Sequence, residues 1–327
     1  MQTQTNFVTG ATGHVGNVLV RKLLERGEKV RALILPGENC RSLAGLDIEA
    51  VAGNVLDMDT LRRGMNAAQR VYHLAGVISI MPGKNDFVRR VNVQGTRNVL
   101  RAARQAGVAR LVYTSSIHAL RRVPHGVTID ENVPFDTQHA ISAYDQSKAE
   151  ASLLVQEAAR QGLDAVIACP TGVVGPYDYL GSEMGHVILG AMRSRIQLVI
   201  NGAYDFVDVR DVAEGLIQAG EKGRASASYI LSGERLSLSG LLDLVASVTG
   251  LRHRRLPVPM VLARAAAHFG PLYYRLTQTA PRLTPYAIAT ITSNSTISSA
   301  RARRELGFAP RPLRESIHDA VQWFSTQ

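Results

Sequence analysis

Three glycines, Gly10, Gly13 and Gly16, separate the apolar run Asn6–Thr9 from an amphipathic stretch at Val15–Arg26. Missing side chains let a backbone turn tightly and approach a pyrophosphate. The first turn of the helix that follows then stabilises the anion with free N–H groups and its dipole. A glycine triplet alone is weak evidence. A strand pattern before it, a helix pattern after it and a place near the start of the chain separate it from an ordinary turn. Gly10, Thr12, Gly13, His14, Val15 and Gly16 are therefore expected at a dinucleotide.

From Asn6 to Cys169, β-branched runs alternate with amphipathic stretches. These are Asn6–Thr9, Val15–Arg26, Lys29–Leu35, Leu61–Ala67, Arg70–Ala75, Asp86–Ala106, Arg110–Thr114, Tyr144–Gln161 and Ala165–Ala168. Strand–helix alternation with nearly all-apolar strands predicts a doubly wound parallel α/β sheet covered on both faces. After Pro170 the pattern loosens, with a strand at Asp205–Val209 and helices at Val212–Ala219, Leu238–Thr249, Pro259–Phe269 and Arg314–Phe324. The expected organisation is a dinucleotide-binding Rossmann domain over 1–172, to which 204–234 returns, with a smaller substrate-binding cap from 173–203 and 235–327.

The 37 Lys and Arg against 27 Asp and Glu give a net charge of +10, which favours anionic partners. The basic residues lack the aromatic interleaving of single-strand binders, so nucleic acid is not expected. Cys40 and Cys169 match no disulfide or metal spacing, no leader pattern precedes Asn6, and no apolar run spans a bilayer. A cytoplasmic protein without bound metal is expected. Arg252-His253-Arg254-Arg255 beside Pro259–Phe269 reads more readily as cap than as a membrane-surface patch.

The Gly10–Gly13–Gly16 spacing resembles the T-G-A-T-G-x-x-G signature of the extended short-chain dehydrogenase/reductase family. Further matching segments follow in that family's order: Gly53–Asp57, His73-Leu74-Ala75-Gly76, Asn92–Asn98, Tyr113–Ser116, Tyr144-Asp145-Gln146-Ser147-Lys148, Pro170–Pro176, Val207–Ala213 and Glu305–Phe308. Tyr144 and Lys148, four apart, leave one helix face, where an ammonium and a positive nicotinamide could lower a phenol from about 10. The resemblance implies that Tyr144 exchanges a proton, Lys148 also binds the nicotinamide ribose, and Ser116 hydrogen-bonds the reacting oxygen. It implies cofactor contacts at Asn54, Val55, Leu74, Ala75, Gly76, Pro170, Gly172 and Val173, and a structural or relay role for Asn92. It also implies dimerisation through the two helices at Asp86–Ala106 and Tyr144–Gln161.

An NAD site usually has an acid at the end of its second strand. Here the strand ends in Leu35, which leans the reading to NADP over NAD, with Arg41, or less readily Arg31, beside a 2′-phosphate. Sugar-nucleotide relatives carry a diphosphate-clamping arginine before the Val207–Ala213 motif; this chain has Asn201–Phe206 there. Ser115, His118, Tyr177 and Tyr204 are expected at the small-molecule substrate, with Tyr179, Phe206, Tyr273 and Tyr274 as further cap aromatics. A reductase or dehydrogenase of an apolar ketone or secondary alcohol, like dihydroflavonol 4-reductase or 3β-hydroxysteroid dehydrogenase, is the first expectation. The alternatives are a sugar-nucleotide epimerase with tightly bound NAD and a non-catalytic dinucleotide sensor.

Overall fold

The structure, a computed structural model, describes residues 4–78, 85–270 and 284–327. Its main sheet takes seven parallel strands. They are β1 (Thr5–Thr9), β2 (Lys29–Ile34), β3 (Glu49–Ala52), β4 (Arg70–His73), β5 (Arg110–Thr114), β6 (Ala165–Pro170) and β10 (Ser228–Leu231), in the order β10-β6-β5-β4-β1-β2-β3. Strand order reverses between β1 and β4. In a doubly wound sheet the ligand crevice lies outside the carboxyl ends of strands at such a point.

Alternation along each strand fills two cores. Phe7, Val71, Leu111 and Ile167 face one side, with Leu61 and Met65 of α2 (Met58–Met65), Val99 and Ala103 of α4 (Gly95–Gln105) and Val155 of α5 (Ala143–Arg160). Val8, Tyr72, Val112 and Val166 face the other side, with Leu19 and Leu23 of α1 (His14–Glu25) and Val212 and Leu216 of α7 (Val209–Lys222). Both faces are sealed, as near-continuous apolar strands require.

The pattern expected as one helix over Asp86–Ala106 is α3 (Asn85–Arg89), a π-helical turn at Arg90–Gln94, and α4. A π turn inserts an extra residue and re-aims the side chains on it. Here it turns Asn92 inward, as described below.

Remaining elements lie beyond the carboxyl ends. β7 (Gly172–Val174) and β11 (Glu234–Ser237) flank β9 (Ala203–Asp208), and β8 (Ile196–Val199) pairs with β12 (Arg254–Pro257). α6 (Glu183–Arg193), α8 (Leu238–Thr249) and α12 (Leu313–Ser325) pack together, while α9 (Met260–His268) rests on α10 (Pro285–Ile291). α11 (Ala300–Leu306) returns to the main sheet beside α7. Tyr273 and Tyr274 lie outside the described residues.

Candidate active site

The three glycines open the crevice for different reasons. Gly10 has φ +73°, and a Cβ there would come 2.7 Å from the Ala75 amide nitrogen after β4. A Cβ on Gly16 would come 2.0 Å from the Gly10 carbonyl oxygen. Both glycines thus let backbones pack on each other. Gly13 alone faces room, with its nearest contact at 3.4 Å. It also N-caps α1 with no side-chain acceptor on the helix amides, whereas α2, α5, α6, α7, α8 and α10 all carry side-chain caps. Free amides at an open helix start fit a pyrophosphate. His14 bonds the Pro176 carbonyl through Nε2 at 2.9 Å, and burial lowers its pKa. Val15 packs into the α1–α7 core.

Beyond the end of β2 the structure brings in an acid that lies three residues past Leu35. Pro36 and Gly37, the latter at φ +78°, turn the chain back after β2 and bring Glu38 over the strand end. Glu38 accepts from Thr12 Oγ1 at 2.6 Å and from the Leu35 amide at 3.0 Å, while the Leu35 side chain is half exposed. The two arginines expected to pair a 2′-phosphate are engaged elsewhere. Arg31 donates to the Gly64 and Asn66 carbonyls at 2.8 Å and meets Glu49. Arg41 reaches the Gln327 side chain at 3.0 Å. Asn54 closes its own turn onto the Leu56 amide, and the Val55 side chain packs over Gly95.

Ser116 and the first turns of α5 bring the candidate catalytic residues together. The Ser142 hydroxyl caps α5, which presents Tyr144 and Lys148 one turn apart, both buried. Lys148 Nζ donates to the Thr114 carbonyl at 2.7 Å and stands 5.0 Å from the Tyr113 ring centre. Burial pushes the ammonium down to about 8. A Cβ on Gly76 would sit 3.2 Å from Asn92 Oδ1 and 3.5 Å from Lys148 Nζ, so this glycine leaves room for both polar heads. Burial pushes the Tyr144 phenol up to about 12, and the adjacent Ser116 hydroxyl draws it only partly back. Desolvation of the phenolate is the dominant cause and outweighs the serine hydrogen bond. The phenol is therefore held protonated, as a donor.

A polar chain ties this end to the glycine loop. Ala75 N–H donates to Thr9 Oγ1 at 3.2 Å, which bonds His73 Nδ1 at 2.7 Å; His73 Nε2 bonds Thr96 Oγ1 at 3.0 Å, and Thr96 donates to the Asn92 carbonyl at 2.6 Å. One assignment satisfies every member: the His73 proton resides on Nε2. Burial drives that ring's pKa down to about 3, so it stays neutral. From the π turn, the Asn92 side chain brackets Val77 N–H and C=O at 2.7 and 3.0 Å and donates to Ser147 Oγ at 2.9 Å. These bonds saturate its amide, which fits positioning of α5.

On the substrate side, His118 and Tyr204 are brought to Ser116. The His118 amide donates to Ser116 Oγ at 3.2 Å, its Nε2 bonds Tyr204 Oη at 2.7 Å, and the two rings stack 5.7 Å apart. Burial drives His118 down to about 4. Tyr286 on α10 completes the wall, 5.9 Å from the His118 ring, and donates to Asp145 Oδ1 at 2.8 Å. Neither Tyr286 nor Asp145 stands out in the sequence. Two expected substrate residues lie elsewhere. Ser115 Oγ is bonded within the core to Ser152 Oγ of α5 at 2.6 Å. Tyr177, at φ +68°, packs beside α1 under the Arg21 guanidinium. Tyr179 stacks edge-on against Trp323, and Phe206 is core. Pro170 ends β6, while Gly172 lets the Tyr204 ring pass where a Cβ would come within 2.8 Å. Val173 pairs with Val207 of β9.

Known proteins match the chain over nearly its whole length. Residues 6–231 fit the NAD dependent epimerase/dehydratase family. The chain is 37% identical to "Sterol demethylase protein B" of Methylococcus capsulatus, covering 98% of each chain. It is 34% identical to a "Putative dihydroflavonol 4-reductase" of Synechocystis, covering 97% of this chain and 94% of that one. The crystal structure of gox2253 superposes with a TM-score of 0.87 at 32% identity over 99% of this chain and 98% of that one. The chain belongs to the NAD dependent epimerase/dehydratase family, the extended short-chain dehydrogenases/reductases, and is an NAD(P)-dependent oxidoreductase.

Proposed function

We propose that this oxidoreductase interconverts a ketone and a secondary alcohol on a largely apolar aromatic or polycyclic substrate, with Tyr144, Lys148 and Ser116 around the reacting oxygen. The observation that carries the reading is the wall of His118, Tyr204 and Tyr286 joined to Ser116 and α5. Flat aromatic faces suit rings, and a diphosphate needs a guanidinium fork. The nearby Arg122 is engaged, donating to the Ala289 carbonyl at 3.1 Å and standing 3.9 Å from Asp145. Relatives named for sterol demethylation and dihydroflavonol reduction support the same substrate class.

When bound, the nicotinamide would exchange a hydride with the substrate carbon. The chain's part is to hold and protonate. Gly13 and the α1 amides would hold the pyrophosphate, and Lys148 the nicotinamide ribose. Ser116 Oγ accepts from the His118 amide, which leaves its proton for the substrate oxygen. Tyr144, kept neutral by burial, gives that oxygen its proton as the ketone is reduced. The test offers NADH and NADPH with a panel of sterol ketones, flavanonols and UDP-sugars. Stoichiometric oxidation of the nicotinamide with a polycyclic ketone supports the reading. Turnover of a UDP-sugar on co-purified NAD without net consumption would sink it, as would silence across the panel.

Glu38 supports a preference for NAD over NADP. Its carboxylate, held by Thr12 and the Leu35 amide at the carboxyl end of β2, supports an adenosine ribose contact there. It suits the ribose hydroxyls and repels a 2′-phosphate. Two unit charges about 4 Å apart near a surface repel by up to about 4 kcal/mol, and solvent screening of this half-buried group reduces that to an expected ten- to hundredfold preference for NAD. Glu38→Gln should lower the ratio of the NADP to the NAD dissociation constant by about tenfold, measured calorimetrically. An unchanged ratio would remove Glu38 from cofactor choice.

A further inference from the structure

We infer that β8, β12 and α9 form a docking surface for a bilayer rich in anionic phospholipid. Parallel pairing places Ile196 opposite Arg254 and Leu198 opposite Leu256, so these four side chains share one face of a two-stranded ribbon. That face is open, with Leu198 73% exposed. Two residues beyond β12, α9 buries only Ala263 and Ala267, against Ile200 and Ile288. Val261, Leu262, Ala265, Ala266 and Phe269 fall within a roughly 140° arc at helical spacing and all point outward. Val261 is 78%, Leu262 60% and Phe269 66% exposed. Isolated exposed apolar residues need no explanation, but a run of them over consecutive elements marks an interaction surface.

Charge selects the occupant. Arg193, Arg195, Arg252, Arg254 and Arg264 are exposed on or beside these elements. Among the described residues none of the five is paired with a carboxylate, while Asp243 is taken by Arg255. Unpaired arginines around an apolar face, on a chain of net charge +10, complement phosphate headgroups over acyl chains. Among the described residues no helix is long and apolar enough to cross a membrane, so the contact is at the surface. The same lobe reaches the candidate site one helix further in: α9 packs on α10, whose Tyr286 bonds Asp145 beside Tyr144. The docking inference stands apart from the substrate reading.

The test is co-sedimentation of the full chain with vesicles of phosphatidylcholine alone and of phosphatidylcholine with equal phosphatidylglycerol. Strong binding to the second, weakened by about 0.5 M salt, is expected. Arg254→Glu with Arg264→Glu should lower partitioning at least twentyfold, at about fivefold for each arginine lost. Val261→Asp with Leu262→Asp should lower it at least tenfold with dinucleotide affinity unchanged. Leu198→Lys gives an independent check on the ribbon. Equal binding to both vesicles, wild-type binding by these variants, or a patch variant that turns a dimer into a monomer without affecting vesicle binding would each overturn the proposal. The last outcome would assign the surface to a second copy of the chain.

Discussion

Tyr144→Phe is expected to leave dinucleotide affinity within about twofold of wild type while lowering kcat by about three orders of magnitude. The ring stays, so the packing of this buried side chain is kept, and the fold should lose no more than about 1 kcal/mol for one hydrogen bond. The hydroxyl is the only group lost, and positioned proton transfer contributes about 10² to 10⁴ in rate. Ser116 remains as a donor but cannot replace the proton delivered. Lys148→Met separates the roles: it should weaken dinucleotide binding as well as turnover, because its ammonium is assigned to the ribose. Isothermal titration and single-turnover kinetics read these two effects independently. Turnover by Tyr144→Phe within about tenfold of wild type would remove the phenol as the proton donor.

Periodicity made the sheet legible because its strands are apolar on both faces and its helices keep one stripe inward. β5 and α8 fall where the spacing places them. The edge strand β3 escaped that reading because Glu49–Ala52 is mostly exposed and carries no buried run. The shared helix of the proposed reacting residues was legible because Tyr144 and Lys148 need only helical spacing to share a face. What surrounds them depends on turns. Glu38 lies three residues past the expected acid position, and only the Pro36-Gly37 turn brings it back. A proline–glycine pair followed by an acid was the available signal. Ser115 and Ser116 are adjacent just past β5 yet take different partners, Ser115 Oγ the Ser152 hydroxyl and Ser116 Oγ the His118 amide, a difference that adjacency in sequence does not show. Nothing local marks Tyr286, which meets Asp145 across 141 residues.

The glycine triplet divides into two kinds of expected result. Gly16→Ala should destabilise the fold by about 3 kcal/mol or more, because its Cβ would lie 2.0 Å from a backbone oxygen and neither α1 nor the loop can yield without losing contacts. Melting should fall by at least about 5 °C. Gly10→Val should behave similarly: its φ of +73° strains a β-branched residue, and Ala75 blocks the Cβ. Any loss of nucleotide binding in these two variants would then follow from a displaced loop. Gly13→Val is different, since a Cβ there meets only the Gly10 carbonyl at 3.4 Å. That variant should melt within about 2 °C of wild type yet bind NAD at least tenfold more weakly, because the new side chain occupies the approach to the free α1 amides. Calorimetry and thermal melting of all three distinguish the cases. Wild-type affinity in a folded Gly13→Val protein would move the pyrophosphate away from α1, and a normal melting curve for Gly16→Ala would show that the contact between loop and helix can relax.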